Sequence, residues 1–529
     1  MIQFLKNNKF VLIFLPLILL LAIFLRIYHL NSLPVFADEA IYVRWSQIMS
    51  VEPTLRFLPL SDGKQPLYMW ILMLFVRKIS DPLITGRLLS MLSGITTLVG
   101  LFFLTLTLFK SKTLSLISSF LYAISPYSVF FDRMALTDSM LATTCIWTLL
   151  LAILTAKTKR IDLAIFTGFA LGASFLTKSP SVFFAYLLPT TFLLADWPKD
   201  FKQKIYLFIR LSLLFLISYT IAFALQSIMR LGPNYSLIAS RNQDYVLPLS
   251  HIFKNPLDPF IPYFDRIFEW LRIMGPSALI ILAIVGSFLN LRKNLKETIL
   301  LSLWIMVPIA LEAEFAKVIT ARYVLFTVPI FASLASSSFI FKTKAIKVCL
   351  YLMFAIFIIQ SSIFDFLLLT NVKAAPLPRS ERSGYLEEWT AGTGIRQVSE
   401  YLKKEHAKDP NIKIVAGTEG FFGTLPDGLQ MYMEGTPNVV IIGVGLSIKE
   451  VPESLKQSFD YGNKTYLVIN DSRFLYKGDP QDLGLKLIAS FEKAARPDFV
   501  KEYWQHGPVE HLLLFQVIKK PIILKSIQN

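Results

Sequence analysis

Through its first 369 residues the chain alternates long apolar runs with short polar breaks, most of them basic. The runs at 10–29, 84–109, 113–131, 139–156, 161–177, 180–196, 205–228, 275–291, 298–315, 321–341 and 346–369 each approach the 20 or so apolar residues needed to cross ~30 Å of hydrocarbon. With no water in the bilayer core to satisfy backbone N–H and C=O groups, runs of this length must be helical. The pattern predicts about eleven transmembrane helices. The stretch 66–79 is shorter and ends in Arg77-Lys78, which predicts an interfacial or re-entrant helix that does not cross.

After Ala374-Ala375-Pro376 the pattern changes. Short apolar runs at 412–416, 439–444, 465–469 and 511–517 read as strands, and helical periodicity appears at 394–404 and 425–434. Strands mixed with helices predict a small α/β layer domain over 370–529. Gly417, Gly420 and Gly423 serve turns there and form neither a dinucleotide fingerprint nor a phosphate loop, so nucleotide binding is not supported.

Composition strengthens the membrane reading. Of 529 residues 54% are hydrophobic and 17% charged, against about 25% charged in soluble domains. Disordered, collagen-like and disulfide-rich secreted classes are excluded. Lys and Arg number 53 against 37 Asp and Glu, a net +16, yet the cations sit at the ends of apolar runs. There they act as topology determinants beside anionic lipid headgroups, not as a nucleic-acid surface. If 66–79 does not cross, the clusters Lys6/Lys9, Lys110/Lys112, Lys157/Lys159/Arg160, Lys199/Lys202/Lys204, Arg292/Lys293/Lys296 and Lys342/Lys344/Lys347 fall on alternate loops. The intervening short loops hold only Arg133, Lys178 and the 317–322 region. The positive-inside rule then puts the N-terminus inside and the C-terminus outside. Residues 30–83, 229–274 and 370–529 become outer segments. Val35-Phe36-Ala37 resembles a signal-peptide cleavage site, but the preceding run is too long and too many spans follow. Cys145 and Cys349 lie inside apolar runs, which argues against a disulfide or a cysteine metal site.

Candidate chemistry lies at the outer ends of the runs. Pro34-Val35-Phe36-Ala37-Asp38-Glu39-Ala40-Ile41-Tyr42 follows the first one. Adjacent helical residues point about 100° apart, so Asp38 and Glu39 are set for different tasks, with Tyr42 a turn later on their side. A plain helix start also accommodates acids. In Asp62-Gly63-Lys64-Gln65-Pro66-Leu67-Tyr68, Lys64 precedes a proline suited to the first turn of a helix; alone it reads as a snorkelling lysine. In Phe131-Asp132-Arg133-Met134-Ala135-Leu136-Thr137-Asp138, Asp138 alone could cap a helix and Arg133 anchor one. Lys178 in Thr177-Lys178-Ser179-Pro180 and Arg322 in Ala321-Arg322-Tyr323 read singly as anchors. On the loop-charge topology all of them map to one face. Carboxylates can deprotonate a hydroxyl, and cations can hold a phosphate.

The order of these motifs resembles that of the polyprenyl-phosphate-sugar glycosyltransferases. These are GT-C fold enzymes and include the protein O-mannosyltransferases and lipid A aminoarabinose transferases. The resemblance rests on Asp-Glu after the first span, Gly-Lys-x-Pro-Leu-Tyr before the interfacial helix, Arg-x-x-x-x-Asp after the third span, Thr-Lys-Ser-Pro and Ala-Arg-Tyr, over residues 1–345. It implies Asp38 as catalytic base and Glu39 as a supporting acid or acceptor contact. It also implies Lys64 near the donor phosphate, Arg133 and Asp138 lining the cavity, Arg322 on the phosphate, and Lys178 beside them. The mannosyltransferases carry His-Pro-Pro-Leu where this chain has Lys64-Gln65-Pro66-Leu67.

The implied activity is transfer of a hexose or pentose, in a mannosyltransferase-like reaction. The donor is a polyprenyl-phosphate sugar and the acceptor a hydroxyl of a protein, lipid or glycan, outside a bacterial plasma membrane. No cofactor is expected: oligosaccharyl relatives use a divalent ion, but the mannosyl and aminoarabinosyl enzymes are not thought to need one. The alternative class is a transporter or flippase of lipid-linked sugars, which would place ionisable residues near mid-membrane on broken helices.

Overall fold

The structure, a computed structural model, describes residues 2–340 and 344–519. The helices of its first part are α1 (Ile2–Ile27), α2 (Ala37–Val51), α3 (Leu67–Leu72), α4 (Pro82–Phe109), α5 (Lys112–Ala123), α6 (Pro126–Asp132), α7 (Thr137–Thr158) and α8 (Ile161–Thr177). There follow α9 (Val182–Leu187), α10 (Phe201–Ser227), α11 (Ser236–Tyr245), α12 (Phe260–Met274), α13 (Ser277–Asn290), α14 (Leu295–Phe315), α15 (Val328–Ser336) and α16 (Lys344–Thr370). Every predicted apolar run is helical. Among the described residues 7 helices are long and apolar enough to cross a membrane, or up to 9 if each bent pair is one span. The apolar helices Ile161–Thr177 and Ser179–Leu194 are shorter. The end of the 321–341 run, Lys342 and the side chain of Lys6 lie outside the described residues.

Two runs are bent. The α5–α6 pair turns by 59° where Pro126 opens α6, because proline cannot donate to the preceding helix. The α12–α13 pair turns by 106° at Gly275-Pro276. The expected 66–79 helix is shorter than predicted: only Leu67–Leu72 is helical. Beyond it residues 73–78 form turns, and the Asp81 carboxylate accepts from the N–H groups of Leu83 and Ile84 at 3.0 and 3.2 Å to start α4.

The chain divides into two compact units, Met1–Leu30, Met49–Leu74 and Gly86–Pro378 in the first, Asn31–Ile48, Phe75–Thr85 and Arg379–Asn529 in the second. Inside the first unit lies a wholly buried charge network. Arg26 Nε meets Asp132 at 2.9 Å, and the same guanidinium donates to Ala123 O and Ser128 Oγ at 2.9 and 3.1 Å. The Arg133 guanidinium donates to the carbonyls of Leu25, Arg26, Tyr28 and His29 at 2.7 to 3.3 Å, satisfying acceptors that the end of α1 leaves open. Gly94 lets α4 pass this network, since a Cβ there would lie 2.1 Å from Asp132 Oδ2.

The second unit is built on a five-stranded sheet. Its elements are β1 (Val35–Phe36), β2 (Ala391–Gly392), β3 (Ile414–Glu419), β4 (Val439–Gly445), β5 (Lys464–Asn470), β6 (Leu485–Glu492) and β7 (His511–Val517), with helices α17 (Arg379–Arg382), α18 (Ile395–Lys408), α19 (Thr424–Met433) and α20 (Glu453–Asp460). The order is β4-β3-β5-β7-β6, with β3 parallel to β4 and β5, and β7 antiparallel to β5 and β6. All four predicted strands are present. The edge strand β6 went unpredicted because it is largely exposed and a register shift between Leu487 and Ala489 breaks its alternation. Val415, Leu455, Leu467, Ile469 and Phe515 form the core on one face. The separate pair β1–β2 is antiparallel, Val35 opposite Gly392 and Phe36 opposite Ala391.

Removing Arg26 leaves Asp132 charged and unpaired in an apolar interior. Arg26→Met is expected to cost about 3–5 kcal/mol, seen as a lower thermal midpoint of the detergent-purified protein. Arg26→Met combined with Asp132→Leu is expected to recover most of that loss.

Candidate active site

The first unit gathers most of the candidate cations. The turn Asp62-Gly63-Lys64 places Lys64 Nζ 3.1 Å from Asp62 Oδ2, while Arg241 of α11 meets Asp62 Oδ1 at 2.7 Å. Gly63 has φ +66°, and a Cβ there would lie 2.6 Å from Arg241 Cβ, so only glycine lets α11 settle on this turn. Asp62 holds the Arg241 guanidinium above its usual pKa. The neighbouring Gln65 Nε2 donates to Ser179 Oγ at 2.8 Å, and Ser179 Oγ donates to Asn242 Oδ1 at 3.3 Å. These contacts tie the Lys64 turn and α11 to the segment that carries Lys178.

Lys178 ends α8 and pairs with Asp138 in the first turn of α7. Its Nζ stands 4.3 Å from the centroid of the Tyr323 ring, and Arg322 Cζ lies 5.7 Å from the same centroid. Tyr323 therefore carries two cations by their attraction to its π system. Asp138 is 1% exposed, and its Oδ2 has no hydrogen-bond partner among the described residues. Glu312, buried in α14, lies within electrostatic range of both Lys178 and Asp138. Lys64, Asp138, Lys178 and Arg322 are thus linked through named contacts within one unit.

Asp38, Glu39 and Tyr42 belong to the second unit, on α2. Glu39 is fully buried and accepts from the Phe36 N–H at 3.0 Å, closing the start of its own helix as a third-position carboxylate does. Asp38, one residue earlier, is partly exposed. The Phe36 ring packs on Tyr385, centroids 4.4 Å apart. Further along α2, Gln47 Nε2 donates to Met431 O at 2.9 Å and Arg44 reaches Glu434 at 3.7 Å. The segment bearing Asp38 is folded into the α/β unit at both ends.

Arg133, expected to line the cavity, has its guanidinium turned to the carbonyls at the end of α1. Sequence reasoning passed over Asp62, Arg241, Glu312 and Tyr323. Glu312 carried a readable signal, an acid within the apolar 298–315 run. Arg241 carried none, since nothing in the 229–274 loop indicates which cation meets Asp62. Among the described residues no group of three or more His, Cys, Asp or Glu is placed to hold a metal ion.

Residues 63–222 match the family model of dolichyl-phosphate-mannose-protein mannosyltransferases. No curated protein matches the chain by sequence. Two solved structures of ArnT from Cupriavidus metallidurans are similar in fold. The apo form aligns at TM-score 0.55 and 12% identity, covering 97% of this chain and 98% of that one. The form bound to undecaprenyl phosphate aligns at TM-score 0.53 and 14% identity, with the same coverage. The chain is a multi-pass helical membrane protein with the GT-C fold and a small C-terminal sheet domain.

Gly63→Ala forces a Cβ into Arg241 at a left-handed position. We expect α11 to separate from the turn and limited proteolysis within 229–274 to quicken severalfold, with the pattern elsewhere unchanged.

Proposed function

We propose that the protein transfers a hexosyl or pentosyl unit from a polyprenyl-phosphate donor to a hydroxyl of a protein, lipid or glycan, on the outer face of a bacterial plasma membrane. The reaction is a single-step displacement that inverts the anomeric centre. Asp38 acts as general base: it takes the proton of the acceptor hydroxyl as that oxygen attacks the anomeric carbon. The bond from that carbon to the phosphate oxygen breaks, and its electrons leave on the lipid phosphate. A phosphate is a weak base, so the departing oxygen needs no proton from a general acid.

The observation that carries this reading is the linked set of Lys64, Arg241, Lys178 and Arg322 in the first unit. Fixed cations aimed at the charge that grows on a leaving phosphate lower the barrier without reorganising during reaction. Lys64 and Arg241 take the phosphate oxygens, ordered by their shared partner Asp62. Lys178 and Arg322, steadied on Tyr323, complete the anion site. Asp138 binds the donor sugar, its buried Oδ2, without a hydrogen-bond partner among the described residues, accepting from a sugar hydroxyl. Glu39 positions Asp38 by fixing the helix start, and Arg133 positions the site by holding the end of α1. The GT-C fold favours this enzyme over a transporter or flippase.

The test is sugar transfer in membranes supplied with radiolabelled polyprenyl-phosphate sugars. Asp38→Asn is expected to lower kcat by about 10²–10⁴-fold while the variant inserts and folds normally. Lys64→Ala and Arg241→Ala are expected to raise the donor KM as well as lower kcat. Transfer by Asp38→Asn at the wild-type rate would assign the base to another carboxylate.

A further inference from the structure

The helix α1 is poorly covered by protein: Phe10, Phe14 and Leu17 are 55%, 42% and 54% exposed. These side chains line one wall of a cavity of about 380 Å³ between α1, α5 and α16, within the ~300–1,000 Å³ typical of small-molecule sites. The other walls come from Leu116 and Phe120 of α5 and Phe354 and Ile358 of α16. Thr113 contributes a hydroxyl at one end, and every other lining residue is apolar.

Each of the three helices brings a lysine to that same end. On α1, Lys9 directly precedes Phe10; on α5, Lys112 directly precedes Thr113. On α16, Lys347 lies seven and eleven residues before Phe354 and Ile358, spacings that share a helix face. All three lysines are exposed. A positive-inside bias asks only for cations near the membrane surface. It does not ask for one from every wall of a single groove. An apolar slot with three lysines near its polar end, within the reach of their long side chains, is the complement of one molecule with a hydrocarbon chain and an anionic head.

We propose that this groove binds an anionic glycerophospholipid of the leaflet at the basic end of the first unit. An acyl chain lies against Phe14, Leu17, Leu116 and Phe354, and the head-group phosphate is held by Lys9, Lys112 and Lys347. The lipid supplies the surface that α1 lacks and joins α1 to α16. The site is separate from the candidate active site in the residues it uses.

The experiment is native mass spectrometry of the full-length protein in micelles, titrated with dioleoyl phosphatidylglycerol, dioleoyl phosphatidylcholine or undecaprenyl phosphate. Phosphatidylglycerol is expected to be retained at least about tenfold better than phosphatidylcholine, from attraction between the lysines and its anionic head group. Lys9→Gln, Lys112→Gln and Lys347→Gln together are expected to abolish that preference without changing phosphatidylcholine retention. Leu116→Trp, which fills the groove, is expected to lower retention of phosphatidylglycerol while the lysines remain. Equal retention of the two phospholipids overturns the proposal, as does a triple variant that keeps the preference. Displacement of phosphatidylglycerol by equimolar undecaprenyl phosphate, lost in Leu116→Trp, overturns it in favour of a donor-lipid groove.

Discussion

The first unit depends on the buried pairing of Arg26 with Asp132 and on the capping of α1 by Arg133. A charge in an apolar interior persists only when its partners are supplied in good geometry. Here they come from four places: the Asp132 carboxylate, the Ala123 carbonyl, the Ser128 hydroxyl and the preceding turn of α1 itself, through Ala22 O. These requirements fix how α1, α5 and α6 meet. They also explain Gly94, because α4 can pass only where no side chain intrudes on Asp132. Asp365 of α16, buried and within electrostatic range of Arg26 and Arg133, extends the same network to the last long helix. The end of α1 is thereby set.

The candidate site is assembled on a different principle. Its cations share partners: Asp62 meets both Lys64 and Arg241, and the Tyr323 ring meets both Lys178 and Arg322, while Lys178 also pairs with Asp138. The ordering contacts are polar and local, and they run from Gln65 to Ser179 to Asn242. They join segments more than a hundred residues apart without burying a large apolar surface. In such a site the positions of the cations are paid for by the scaffold before any ligand arrives.

The second unit changes the meaning of the C-terminal residues. A chain read as membrane domain followed by soluble domain would treat 379–529 as an appendage. Instead β1 pairs with β2, Phe36 packs on Tyr385, and Gln47 reaches the backbone of α19. The short helix α2 with Asp38 and Glu39 is thus part of the α/β unit. The conformation of the proposed base is set by residues far along the chain.

Much of this was legible in the sequence. The apolar runs located the membrane helices, since hydrocarbon leaves the backbone no alternative to internal hydrogen bonds. Alternation located the strands β3, β4, β5 and β7, and the motif order indicated the GT-C fold and its candidate residues. Local pattern failed at 66–79, where only Leu67–Leu72 is helical, and at β6, an exposed edge strand with a register shift. It also could not show which cation meets the carbonyls at the end of α1, because the partners of a guanidinium are not written in a sequence. Composition and periodicity determined the class of the protein and its helices. Tertiary structure alone decided which charges satisfy the fold and which gather into a site, because that depends on partners brought together from distant segments.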